Sequence, residues 1–183
     1  WKIAVETFME CYHHIGAHGK SLEPTMPGRL SFVDDSRELW TTCWHPLREG
    51  LTAEEVIGDG LPVIPTLNAE QRRMDGLVLV YPMTLYGLAA NRVSVTGLLP
   101  IGPEKTLWRR NVLVPRAVTQ MPDFAEKVEK AKAIGDLIAN EDLEVNDLQQ
   151  VGAASATAVV GRLSHLEKVV WQLADFVRNR IGE

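Results

Sequence analysis

Three of the chain's five histidines and one carboxylate fall in a single stretch, Glu10-Cys11-Tyr12-His13-His14-Ile15-Gly16-Ala17-His18. Imidazoles and carboxylates crowded together can hold a metal or move protons. His13 and His18 are five residues apart. On an unbroken helix that spacing is about 500° of rotation, so the two rings would diverge by about 140°. The i, i+4 pair of a helical zinc protease is therefore not written here. Gly16 lies between the two and is a natural helix stop. The simplest geometry has His13 on the last helical turn and His18 just past the break, folded back towards it. Two imidazoles then converge and leave room for a third ligand. Two His plus a carboxylate, with positions left open, suit Fe(II).

The elements that must position this stretch follow from periodicity. Residues 1–15 read as a helix, with Trp1, Val5, Phe8, Met9 and Tyr12 on one stripe. Glu10 sits three before His13 and so shares its face. His14 points elsewhere, as a structural or exposed residue, and Cys11 reads as a small buried one. Residues 19–29 form a loop. Residues 30–33 and 38–45 read as strands around a polar turn, Asp34-Asp35-Ser36. His45, at a strand end before Pro46, is a rival ligand. Residues 47–72 are irregular, with a short helix at 52–57 and a helical turn at 68–73. A loop of that length is often functional, and it is a candidate cover for a pocket. Strand-like runs follow at 76–81, 84–89, 92–99 and 106–114, joined by short Pro, Gly or Asn breaks, as in an antiparallel meander. Residues 121–140 read as a helix, 142–153 as a second and 161–181 as the last, striped with Leu163, Leu166, Val169, Leu173 and Val177. A sheet of about six antiparallel strands with a long C-terminal helix is α+β.

Trp1-Lys2, Val5-Glu6, Phe8, Glu10, Tyr12-His13 and His18 resemble the opening of the catalytic domain of Rieske non-haem iron oxygenases, the ring-hydroxylating α subunits. Glu141-Asp142-Leu143, Gln150, Gly152, Ser155 and Gly161-Arg162-Leu163-Ser164 resemble its C-terminal segment. The resemblance spans nearly the whole chain; its ends are specific and its middle is loose. It implies a helix-grip (START-like, Bet v 1-like) fold. It implies His13, His18 and Asp142 as the metal ligands of a mononuclear Fe(II). It makes Glu10 the bridge that carries electrons from the Rieske cluster of a neighbouring subunit. Glu141 is a fallback ligand, and Asp147 and Gln150 are candidates for a supporting role. Thr7 stands where the family usually has Asn.

The resemblance also implies O2 activation, with hydroxylation or oxidative dealkylation of an aromatic or other apolar substrate beside the iron. Electrons would come from NAD(P)H through a reductase or ferredoxin and a [2Fe-2S] cluster, in a homotrimer. A Rieske cluster needs C-x-H and C-x-x-H. Cys11-Tyr12-His13 and Cys43-Trp44-His45 are both C-x-H, and Pro46 stands where the second pair needs its His. The expectation is a single catalytic domain over 1–183 with the Rieske domain absent. Two rivals remain. One is a non-catalytic helix-grip domain that binds an apolar molecule. The other is structural zinc on Cys11, His13, Cys43 and His45, although two C-x-H pairs are not the usual zinc spacing.

With 183 residues, 45% of them apolar, the chain can build one domain with a substantial core. A net charge of −5 does not suggest nucleic acid or an anionic membrane as partner. No apolar run reaches the roughly 20 residues of a membrane span, and no secretion signal opens the chain. Two cysteines are no disulfide framework, and the expected place is the reducing cytoplasm. Trp44, Tyr81 and Trp108 are the candidate aromatic walls of a pocket.

Overall fold

A computed structural model describes residues 1–182. Six strands form one sheet: β1 (Phe32–Val33), β2 (Trp40–Pro46), β3 (Met74–Val80), β4 (Thr84–Ala89), β5 (Arg92–Gly102) and β6 (Lys105–Leu113). They lie side by side in chain order, every pair antiparallel. Side chains alternate between the faces of a strand, so the register decides which residues share a surface. Thr41, Cys43 and His45 oppose Leu79, Leu77 and Asp75. Those continue into Leu85 and Gly87, then Thr96 and Ser94, then Arg110 and Val112, with Leu98 opposite Trp108. This face carries the core and one wall of the cavity beside the histidines.

Among the described residues there are five α-helices: α1 (Lys2–Met9), α2 (His14–Ala17), α3 (Ala53–Ile57), α4 (Phe124–Ala153) and α5 (Lys168–Ile181). Val5 and Met9 of α1 meet Val169 and Leu173 of α5 over Cys43, Leu79, Leu85 and Leu98. At one edge Gln172 of α5 is buried, accepting from Thr41 Oγ1 at 2.6 Å and donating to the Asp34 carbonyl at 2.8 Å. Leu173 is fully buried in this cluster. Leu173→Ala should therefore cost about 2–5 kcal/mol by lost transfer energy and the cavity left behind. Thermal unfolding checks it: the expected fall in Tm is at least about 4 °C, and no fall would remove Leu173 from the core.

The helix expected over 1–15 is interrupted early. α1 ends at Met9, and Glu10 is extended (φ −115°, ψ 158°). The Glu10 carboxylate takes the free amides of Tyr12 and His13, which turns the chain there instead of at Gly16. Gly16 lies inside α2, so His13 and His18 flank one short helix as its two caps. The two helices expected over 121–153 are one thirty-residue helix, α4. No Pro stands between 124 and 153, and Asn140-Glu141-Asp142 do not stop a helix that is packed against α1. The last helix starts later than position 161. Ser164 and Glu167 form a capping box that opens a single 3-10 turn, His165–Glu167, before α5. Leu30 belongs to a 3-10 turn and not to β1, and Asp34 to Ser36 lie between β1 and β2 as expected. Among the described residues no helix is long and apolar enough to cross a membrane.

Candidate metal centre

His13 and His18 converge on the middle of α4. His13 Nε2 is 3.3 Å and His18 Nε2 3.0 Å from the same atom, Asp142 Oδ1. The outer nitrogens are held as well. His13 Nδ1 is 2.6 Å from Glu10 Oε1. His18 Nδ1 is 2.7 Å from Glu141 Oε2, which also accepts from Ser21 Oγ at 2.6 Å. Carboxylates on both Nδ1 atoms fix each ring with Nε2 turned inwards, the tautomer and pose a metal ligand needs. Glu141 thus orients His18 from the ring's outer nitrogen. Ser21 was not among the residues singled out from the sequence, since a serine in a loop carries no signal of its own. Asp147 is exposed on a later turn of α4. Asp142 is not at a helix start; it lies mid-helix, nineteen residues from Asp123, the residue before α4.

Burial pushes His13 and His18 down. The hydrogen bonds and charges of Asp142, with Glu10 at one ring and Glu141 at the other, outweigh it and hold both above the usual imidazole range, His13 at about 9. Asp142 is pushed up by burial, yet the two imidazoles hold it below the usual carboxylate range. The pocket thus gathers more negative charge than two neutral rings can balance. A divalent cation in place of two imidazole protons leaves the total charge unchanged, so the donor set fits a metal such as Fe(II).

His14 differs from expectation. It is buried, its ring sits edge-on to those of His13 and His18 at 5.0 and 5.3 Å, and burial lowers its pKa to about 4. One nitrogen from each of His13, His14 and His18 lies within 4.8 Å of the others. Asp142 is the better third partner, because both Nε2 atoms face its oxygen. Thr7, in the Asn position, is buried with its hydroxyl unpartnered, and it lines the cavity.

That cavity, of about 190 Å³, opens from the two imidazoles and Asp142 between α4 and the sheet. Phe8, Leu77 and Trp108 form apolar wall, and Asp75, Arg92 and Arg110 supply charge. Of the three expected aromatic walls only Trp108 is present. Trp44 packs over Gly76, where a Cβ would meet its ring at 2.8 Å, and bonds Asp34. Tyr81 stacks on Phe176 with ring centroids 4.3 Å apart. Leu47, Val56 and Ile57 of the long loop bound a second cavity of about 220 Å³ that shares Asp75, Arg92 and Ile138 with the first.

Burial pushes the Asp75 carboxyl up to about 6. A raised carboxyl means the folded chain prefers the protonated form. This group costs nothing below the unfolded value near 4, and its penalty grows as pH rises through 6. Asp75→Asn should thus stabilise at pH 8, by up to about 3 kcal/mol, and leave Tm nearly unchanged at pH 4. Equal shifts at both pH values would show that Asp75 is not so desolvated.

An antiparallel meander gripped by helices, with two imidazoles and a carboxylate over a part-apolar cavity, defines a helix-grip α+β domain built around a metal-type site. The chain matches the family described as "Ring hydroxylating alpha subunit (catalytic domain)" over residues 1–183, and it belongs to that family of Rieske oxygenases. It is similar to a solved quaternary ammonium Rieske monooxygenase, whose structure bears on carnitine oxidation by gut microbiota and on inter-subunit electron transfer. The TM-score is 0.69 at 17% identity, over 98% of this chain and 46% of that one. It is also similar to the quaternary ammonium Rieske monooxygenase CntA in complex with an inhibitor, with a TM-score of 0.61 and 16% identity, over 96% of this chain and 46% of that one. At these identities the likeness speaks for the fold. The chain spans about half the length of these solved structures. No curated protein matches it.

Proposed function

We propose that this chain is the iron-holding part of an oxygenase, with His13, His18 and Asp142 as the ligands of one Fe(II). The observation that carries the reading is the meeting of both Nε2 atoms at Asp142 Oδ1, at 3.3 and 3.0 Å. Bound there, Fe(II) supplies activation of O2 for hydroxylation, single or double, or for oxidative dealkylation. The chain's own residues do the rest. Glu10 and Glu141 keep the two rings in the ligand tautomer. Phe8, Leu77 and Trp108 hold an aromatic or other apolar substrate beside the ligands and keep bulk water away. Glu10, buried and bonded to His13, is the path for electrons from a Rieske [2Fe-2S] cluster, itself reduced by NAD(P)H through a reductase or ferredoxin. Tyr12 and Ile15 stand exposed beside it, which suits contact with a neighbouring subunit of a homotrimer. Two free cysteines suit a reducing cytoplasm.

The test is anaerobic Fe(II) loading followed by metal analysis and by turnover of a panel of aromatic and aliphatic substrates. Hydrogen peroxide serves as oxidant there, because it brings both oxygen and electrons. One iron per chain and an oxygenated product are expected. Substrate binding that is equally tight with and without metal, and no product, would leave a non-catalytic binding domain.

A further inference from the structure

Behind the histidine pair lies a second group of ligand-type side chains that the oxygenase reading does not use. Cys11, Cys43, His14 and His45 are all at least nine-tenths buried. They come from two places in the fold. Cys11 sits on the turn that follows α1 and His14 opens α2, while Cys43 and His45 lie two apart on β2, on the face that carries the core. Cys11 Sγ is 3.7 Å from Cys43 Sγ and 2.9 Å from His45 Nε2. Cys11 Sγ and one ring nitrogen from each of His14 and His45 lie within 4.8 Å of one another. His14 Nδ1 is buried with no hydrogen-bond partner. An orphaned nitrogen in the core keeps the full penalty of its lost hydration and calls for a partner.

We infer that Cys11, Cys43, His14 and His45 form a second, structural metal site for Zn(II), back to back with the triad. The sulfur–sulfur distance suits it, and Cys43, which stands outside the group of three, must move in towards the two imidazoles to complete the set. Zn–S bonds of about 2.3 Å at a tetrahedral angle put two sulfurs about 3.8 Å apart, close to the 3.7 Å seen. A sulfur and a nitrogen on the same ion stand about 3.5 Å apart. His45 must therefore draw back from Cys11 by about half an ångström as the ion enters. Two thiolates and two neutral imidazoles are a complete set for zinc, and thiolates favour it over magnesium or calcium. Of the rival set offered by the two C-x-H pairs, His13 is replaced by its neighbour His14, because His13 turns to Asp142. Such an ion would tie the turn carrying Glu10 and His13 to β2. The packing is already tight there: a Cβ on Gly28 would lie 2.5 Å from the Cys11 carbonyl oxygen and 3.2 Å from His14 Cβ.

Cobalt(II) tests this, since it replaces zinc and shows an intense thiolate-to-cobalt charge-transfer band only when bound to sulfur. The intact chain, purified without chelator, should hold one zinc besides any iron, and after exchange should show that band. The band should persist in Asp142→Ala and vanish in Cys11→Ser and Cys43→Ser. Should either serine variant fail to fold by circular dichroism, His45→Gln is the second arm, expected to weaken cobalt binding at least tenfold. The inference is overturned if folded wild type shows no such band. It is equally overturned if the band survives Cys11→Ser, or if the cysteines are joined as a disulfide in the isolated protein. None of these outcomes depends on iron at the triad, so failure here leaves the oxygenase reading standing.

Discussion

Asp142→Ala is expected to emerge from anaerobic Fe(II) loading with less than about a tenth of the wild-type iron, and with its fold intact. The reasoning rests on what the substitution removes and what it leaves. Loss of a residue that merely orients a ligand typically costs 10–100-fold in metal affinity or activity; loss of the oxygen on which both Nε2 atoms converge should cost at least as much. Without it, two neutral rings remain, and no anion faces the space between them. The fold should survive because α4 is anchored elsewhere. It packs on α1, Gly135 abuts Arg110, and alanine is the best helix former for the vacated position. Full iron retention in a folded Asp142→Ala protein would remove Asp142 from the site and direct attention to His14, the third imidazole of the cluster.

The second large effect is at Glu10, and it separates two kinds of turnover. A glutamine there can still accept from His13 Nδ1, so ring orientation and iron content should hold. Its charge is gone, and with it the anionic link proposed between a Rieske cluster and His13. With the cluster domain supplied, turnover driven by reductase and cluster should fall about 10–100-fold, while turnover driven by hydrogen peroxide stays within about threefold of wild type. Equal losses in both assays would make Glu10 a support of the metal alone. No loss in either would show that electrons take another route.

The sheet was legible because its breaks are chemical. Pro82 and Asn91 bound the run 84–89, and β4 spans those same residues. The convergence of His13, His18 and Asp142 was legible only through family resemblance, since 124 residues separate His18 from Asp142 and no spacing rule reaches that far. Local geometry around the histidines was misread for a definite reason. Gly16 is a commoner helix stop than a glutamate, but Glu10 folds its own carboxylate onto the following amides and ends α1 first. Asn140 marked an apparent break in α4, yet its helix propensity is only a few tenths of a kcal/mol worse than that of its neighbours, and packing overrides it. The role of Glu141 could not be read from the chain, because a carboxylate next to a ligand can as well be a ligand itself.

The order of the strands has a consequence in time. Every strand pairs with its neighbour in the chain, so the sheet can zip up through short closures that are fast to form. The cluster of His13, His18 and Asp142 obeys the opposite rule. Bringing α4 back to His18 closes a loop of 124 residues, on the order of 4 kcal/mol of chain entropy before any contact repays it. The contacts that assemble the site therefore carry a closure cost in chain entropy above that of any strand pair. A cation that binds only the closed arrangement adds RT ln(1 + [M]/Kd) to its stability. Metal in the centre would thus add to the hold that α1 and Arg110 already have on the longest helix, and the two would strengthen together.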